Sequence, residues 1–501
     1  MKKFYTSEGK NRIITVLSSI VTMCLIILVS SLLKAENIVS AGTSLKVVSG
    51  TTLVSPEGLI IKSGATLDNA GTLILKKNLV NENASANSIG SGTVVFSGTV
   101  AQALNGPNVI QNLTINNAAG VTIGGENKVN GVLTLTSGLM TLGSNNLTLG
   151  TGATIAGAPS ATAMLVPTGT GEVRKSFSGI GSFTFPVGDN TTVPEYSPVT
   201  LAFTAGAFGG GNYAGVKLVN AIYPGSPAVN YIKRYWDVSQ SGITGFSCNS
   251  TFQYVPADVV GTENLVYCLR ITPTTVVYFN AANTVLHQLT ANSINTFGTF
   301  TGNQVLASKN LDLTLFLEGL YNGGGTMRKA QNITGDQFPG TTADQISVEL
   351  HNSTSYATVY STVNVDLSTL GASTAIIPGI HSGSYYLVIK HRNSIETWSK
   401  TPVALAGSGP VSYNFSSAAA QAYGNNMKAL AGGLFAIYGG NATGSVDQKV
   451  DGSDMSVVDN GSTALLRGYV DADVTGDGKV DGSDMALVDN NSTALVARIK
   501  P

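Results

Sequence analysis

Charge is what this sequence has least of. Of 501 residues, 11% are Asp, Glu, Lys or Arg, against about a quarter in an average soluble domain. Long solvent-facing helices draw on those residues for their outer face, so the scarcity argues against a helical protein. A net charge of −1 supplies no basic field to hold phosphates, which makes nucleic acid a poor partner. Proline, at 16 residues, is too sparse for a disordered or collagen-like chain. There are 3 cysteines and no C-x-x-C pair, so zinc-ribbon and dithiol redox chemistry are unsupported. What is plentiful is glycine, at 58 residues, within a chain that is 43% hydrophobic. Gly, Ser, Thr, Asn and Val together suit strands and tight turns. The length allows roughly three or four domains, and the composition makes them mainly β.

The amino end carries an address. Lys2, Lys3, Lys10 and Arg12 precede an uncharged apolar run from Ile13 to Leu33, which ends at Lys34. Val39-Ser40-Ala41 fits a small-residue cleavage site, so residues 1–41 read as a signal peptide, with a retained membrane anchor as the alternative. Either way the rest of the chain is exported, to the cell surface or the extracellular space. Cys24 falls within this segment. Cys248 and Cys268 then remain, either as a disulfide or as two small buried hydrophobes.

Four regions follow. From 42 to 160 the pairs Leu45/Val47, Leu59/Ile61 and Leu73/Leu75 recur every 14 residues, and Leu133/Leu135, Met140/Leu142 and Leu147/Leu149 every 7. Each pair places two apolar side chains on one face of a short strand, with Gly, Ser or Asn at the corners. A small fixed period of short strands predicts a parallel β-solenoid, with an antiparallel sandwich as the alternative. Over 161–305 the strands lengthen (Ser176–Val187, Ser197–Thr204, Tyr231–Ser239, Asn264–Thr272, Thr275–Phe279). The Gly206–Gly211 run stands as a turn between two of them, and the region predicts a β-sandwich. Over 309–425, strands at Leu311–Glu318, Ile346–Leu350, Tyr356–Thr362, Thr374–Ile377, Ser384–Lys390 and Val411–Phe415 predict an Ig-like sandwich. The last region, 426–501, is acidic. Ten of the 29 acidic residues lie in 441–501, all of them Asp, and residues 449–468 match 479–498 at 14 of 20 positions.

Asp473, Thr475, Asp477, Lys479, Asp481 and Asp484 follow calcium-loop spacing. Such a loop takes side-chain oxygens at positions 1, 3, 5, 9 and 12, a carbonyl at 7 and Gly at 6. Here Lys479 supplies the carbonyl and Gly478 the turn. Closely spaced carboxylates repel until a cation arrives, so Ca2+ binding and folding are expected to be coupled. The partner loop is poorer. Aligned on Asp454 it offers Asp447, Lys449, Asp451 and Asp454, with Thr443 at position 1 and Gln448 in place of Gly. A non-glycine residue in that left-handed conformation costs on the order of 1 kcal/mol. Asn441 serves position 1 only if the loop bulges. One good site and one weak or empty one are expected.

Each loop is followed by Met-x-x-Val-Asp-Asn and an apolar stretch, and the pair resembles a type I dockerin module over about 60 residues. The resemblance implies twin calcium loops with short helices, whose duplicated faces dock a cohesin-like protein in polysaccharide-degrading assemblies. Recognition positions would fall on Gly452/Ser453 and Gly482/Ser483, where Gly departs from the family pattern. The alternative is a calcium-rigidified terminal module with no partner, and docking to the module's own chain stays open beside docking to another protein.

A second likeness covers more of the chain. It rests on Leu315-Phe-Leu-Glu-Gly-Leu-Tyr-Asn-Gly-Gly-Gly-Thr-Met327 and Ile389-Lys-His-Arg-Asn-Ser-Ile-Glu-Thr-Trp398, with Asn112–Asn117 and Phe183–Asp189 upstream. These are similar to large secreted bacterial surface proteins of hemagglutinin-like type. The resemblance implies an adhesive or structural role.

No enzyme signature stands out. The histidines at 287, 351, 381 and 391 are scattered, and metalloprotease, P-loop and nucleophile-elbow motifs are lacking. Glu318 and Glu396 alone lie near aromatics. The expectation is an exported, non-catalytic surface protein with a calcium-binding docking end. The alternative is a glycoside hydrolase, a lyase or a carbohydrate binder acting on polysaccharide.

Overall fold

A computed structural model describes residues 36–407, 409–444 and 447–501. The basic and apolar segment read as an export signal lies outside the described residues up to position 35. Among the described residues, no helix is long and apolar enough to cross a membrane. The protein is mainly β, with a β-solenoid of about six turns and two short helices near the carboxyl end. It divides into two compact units. Of the described residues, the first comprises those up to 220, 236–257 and 286–297; the second comprises 221–235, 258–285 and those from 298 on.

In the first unit, short strands begin at Asn37, Ser44 and Thr52, then at Leu59, Thr66 and Thr72. Three sides therefore make one rung, and Asn37 is in parallel register with Leu59. The seven-residue spacing in the sequence is one side of the solenoid, and the 14-residue spacing is two. Leu59 and Leu73 consequently belong to different sheets. Down one side, Leu53, Leu73, Val94, Leu113 and Leu133 stack in register, and from Leu73 on they are fully buried. Buried asparagines pay for the polar corners in kind: Asn81 Nδ2 donates to Asn108 Oδ1 (3.1 Å) and Asn108 Nδ2 to Asn127 Oδ1 (2.8 Å). Each leaves its neighbour's amide satisfied, as a buried polar ladder requires.

The first strand, Asn37–Val39, falls inside the segment assigned to the signal peptide, and Val39 is buried. At the other end, Val173–Lys175 pairs in parallel with Leu147–Leu149 and antiparallel with the long strand Val199–Val219. That pairing covers an edge that would otherwise offer open hydrogen bonds. Val199–Val219 runs unbroken through Gly206–Gly211, so the expected turn there is a correction. Gly206 and Gly211 have φ of +143° and +72°; they bend the strand and expose it locally without ending it. Phe177, Phe203, Phe246 and Phe297 pack edge-on or stacked beneath.

In the second unit, Tyr267–Ile271 pairs with Val276–Ala281 and Thr299–Asn303, and the fully buried Arg234 is ion-paired with Asp258. All six strands expected over 309–425 join one eight-stranded sheet. Its central strands are Thr342–Asn352, Thr358–Ser368 and Ser384–Lys390. Leu311, Leu313, Val348, Leu350, Leu387 and Ile389 form the core on one side.

The cysteines do not bridge. Cys248 and Cys268 are free and buried. Cys248 lies in register with Ile294 and Cys268 with Gly302, so each fills a core position. Burial raises both thiols, Cys248 to about 11, which keeps them protonated and inert.

Candidate metal centre

The two helices, Gly452–Thr463 and Gly482–Thr493, begin with the same device. Asp451 and Asp481 cap the first turn, while Asp454 and Asp484 reach back to the capping residue's own N–H. Such a box satisfies two of the free donors at a helix start. It also fixes the twelfth loop residue in the interior: Asp454 and Asp484 are both fully buried.

The second loop closes around Asp473, which is also fully buried. Asp473 Oδ1 accepts from Asp477 N–H at 3.1 Å and Oδ2 from Gly478 N–H at 2.9 Å. Asp484 Oδ1 accepts from both the N–H and the hydroxyl of Thr475 at 2.9 Å. The Thr475 hydroxyl lies 3.5 Å from Asp473 Oδ1, so one threonine separates two buried carboxylates. Gly476 and Gly478 take φ of +68° and +82°. Val480 packs inward, as its place in the spacing predicts. Burial pushes Asp473 up to about 6, with the charges of Asp484 and Asp477 adding to it and Gly478 N–H and Arg392 opposing it. Burial raises Asp484 as well. Asp477 and Asp481 stay nearer solvent, accepting from Lys479 N–H (3.0 Å) and Ser483 N–H (2.8 Å).

The first loop repeats this wiring with a shift. Thr443 N–H and hydroxyl both donate to Asp454 Oδ1 at 2.9 Å, and the Thr443 hydroxyl lies 3.3 Å from Asn441 Oδ1. Thr443 thus matches Thr475, and the buried Asn441 matches Asp473. This corrects the alignment that put Thr443 first. The first loop carries two more residues than the second, since Thr443 lies 11 positions from Asp454 where Thr475 lies 9 from Asp484. Gln448 takes the left-handed conformation, at φ +56°. Lys449 Nζ binds Asp451 and lies 3.6 Å from Asp447, so a side-chain ammonium already sits on this loop's outer carboxylates.

Oxygen donors alone suit a hard cation such as Ca2+. Among the described residues, however, no three His, Cys, Asp or Glu side chains converge as a preformed cage. Asp473 and Asp484 are turned onto backbone N–H groups, which hold the loop shape and occupy the lone pairs a cation would take. The residues present fit the cation in type and order.

The sequence did not single out what holds the loop in place. Arg392 donates to the carbonyls of Val470 (2.5 Å) and Asp473 (3.1 Å) and stacks on Tyr469. Asn393 Nδ2 donates to the Asp473 carbonyl at 2.8 Å. Both follow His391, whose Nε2 lies 3.1 Å from buried Asp344, and Tyr469 hydroxyl donates to Asp344 at 2.6 Å. Burial raises Asp344, but His391, Arg392 and Tyr469 outweigh it and bring the carboxyl down to about 2. Glu396 takes Trp398 Nε1 (2.6 Å) and faces Arg498, and its N–H donates to Gln448. The segments 315–327 and 389–398 stood out in the sequence without a role; they form the seat of the paired loops. His351 and His381 are enclosed in packing, and burial lowers His381 to about 4.

Comparison with known protein families and with curated proteins finds no match for this chain.

Proposed function

We propose that the protein is an exported, non-catalytic surface scaffold whose carboxyl-terminal module binds Ca2+ through residues 473–484. The observation that carries the reading is the pair of buried carboxylates, Asp473 and Asp484, on either side of Thr475. Two like charges out of water are costly to each other until a cation neutralises them. Bound calcium would supply that charge, with Asp473, Thr475, Asp477, Asp481, Asp484 and the Lys479 carbonyl as its ligands. The first loop is the weaker site, because Asn441 brings no charge and Lys449 competes for Asp447 and Asp451.

On this reading the eight-stranded sheet unit is an Ig-like β-sandwich and the 426–501 region a dockerin-like module docked on its own chain. The contacts of Arg392 and Asn393 with the loop backbone support that docking. Gly452/Ser453 and Gly482/Ser483 remain exposed, which leaves the duplicated helix starts free for a cohesin-like protein. The solenoid supplies the long adhesive or structural surface. Differential scanning calorimetry of the full chain, with calcium and with chelator, tests the cation. A rise in the melting temperature of one transition that saturates with calcium is expected, and an unchanged trace refutes the metal reading. The same calcium-loaded chain, passed over immobilised cohesin domains, tests the docking face.

A further inference from the structure

Away from the loops, three side chains from distant segments bring an amine, a carboxyl group and an amide together. Glu318 Oε1 lies 2.7 Å from Lys428 Nζ. Glu318 Oε2 accepts from Asn491 Nδ2 at 2.6 Å and from Gly439 N–H at 3.0 Å. Lys428 Nζ in turn donates to Asn491 Oδ1 at 3.4 Å, and Asn491 Nδ2 also donates to the Gly439 carbonyl at 3.0 Å. Asn491 is buried and the Glu318 side chain is 11% exposed. The ring of Tyr438 lies 5.9 Å from the lysine nitrogen.

The helix repeat does not ask for that amide. Asn491 occupies the place that Gly461 holds in the first copy, within the stretch where the two copies otherwise match closely. Gly461 faces apolar Val480 and Ala472. In the second copy the same helix position buries a polar group instead, and its partners are an amine and a carboxyl group.

We propose that Lys428 and Asn491 are joined by an intramolecular isopeptide bond formed with the help of Glu318. Attack needs a neutral amine and a carboxylic acid, which a proton passing from Lys428 Nζ to Glu318 Oε1 across their 2.7 Å contact supplies. The Lys428 lone pair then attacks Asn491 Cγ, and the Glu318 acid proton stabilises the amide oxygen. As the new C–N bond forms, Nζ gives up a proton. Glu318 carries a proton to Nδ2, the old C–N bond breaks, and ammonia leaves. The product is a secondary amide between Nζ and Cγ, with Glu318 left as the carboxylic acid, which gives its proton to the departing ammonia or to water, and no oxidant or reductant consumed. Holding the reactants in contact gives the large effective concentration that such an unactivated amide needs. The bond would tie the last helix to the segment that precedes the calcium loops. It does not depend on the calcium reading.

Peptide mapping by mass spectrometry, on the full chain purified and denatured, tests this. The expected result is a branched peptide joining Lys428 to Asn491 and lighter than the sum of its parts by one ammonia. The whole chain should be lighter by the same amount. Two linear peptides with a free Lys428 amine and an intact Asn491 amide overturn the proposal. Lys428→Arg and Glu318→Gln, each checked for native circular dichroism, should give only linear peptides. A branched peptide that persists in folded E318Q overturns the role of Glu318, and one that persists in K428R overturns the assignment of the amine.

Discussion

Gly319→Ala tests whether the paired-loop module is built onto the sheet or merely rests against it. A Cβ at this position would lie 1.8 Å from the carbonyl oxygen of Val474, inside the second loop, whereas real contacts stay above 3.0 Å. The two backbones must part by about 1.2 Å, and neither is free to move. On one side, Glu318 N–H donates to Ile437 O (3.0 Å) and Tyr321 N–H to Leu317 O (3.0 Å). On the other, Gln331 N–H holds Gly476 O (3.0 Å), and Arg392 and Asn393 hold the Asp473 carbonyl. Giving up the three bonds on the loop side costs about 3 kcal/mol, and overpacking adds roughly 1–3 kcal/mol. The lower entropy of alanine in the unfolded chain returns about 0.4–1 kcal/mol. A net loss near 4 kcal/mol is expected. Gly452→Ala is the control, because nothing lies within 4 Å of a Cβ there; it should keep only the entropic gain of about 0.4–1 kcal/mol. Denaturant unfolding followed by Trp398 fluorescence, with Trp236→Phe in both chains, reads the second unit alone. Equal midpoints for the two variants would refute the seat.

Three further outcomes follow from the charges. Asp477→Ala should weaken calcium binding, measured by titration calorimetry, more than Asp447→Ala does, and the reverse order would overturn the ranking of the loops. The Asp344 carboxyl is lowered from 3.8 to about 2, so its contribution is complete above pH 4 and is lost as the pH falls through 2. It amounts to roughly 2 kcal/mol, and Asp344→Asn should remove that part of the acid dependence in melts between pH 5 and 2. Asp258→Ala leaves Arg234 fully buried opposite a missing carboxylate; a loss of about 3–5 kcal/mol in denaturant midpoint experiments is expected.

The solenoid was legible because its signal is local. Alternating apolar pairs and corner glycines mark each side, and only the number of sides per rung, three, needed coordinates. Strand ends were less legible: Ser384–Lys390 coincides with its expectation, but Ile346–Leu350 is the middle of Thr342–Asn352 and Tyr231–Ser239 continues to Gln253. The Gly206–Gly211 stretch misled because glycine reads as a turn in sequence, whereas a long strand also uses it to bend. The spacing of the second loop set out Asp473 through Asp484 residue by residue. The first loop was misaligned, since an insertion of two residues leaves the matching stretch from Lys449 onward untouched while moving position 1 from Thr443 to Asn441.

What no spacing could show is how the acidic end is held. Ile395, from the sheet unit, lies in the same core cluster as Val450, Val458, Val480 and Val488. Tyr469, from the paired-loop region, packs against the sheet's own core. Short bridges from Leu317 to Ile437 and from Ser394 to Gly439 continue the backbone pairing across the same boundary. A detachable module would carry its whole core within itself. This one lends a residue to the sheet and borrows another, and the carbonyl of its first loop residue, Asp473, is fixed by two side chains of the sheet unit. Ordering the 473–484 loop therefore also orders the seat formed by 315–327 and 389–398. By linkage, a cation bound at Asp473 and Asp484 would stabilise that seat by a coupling free energy, and loss of the seat would lower the affinity for the cation by that same coupling.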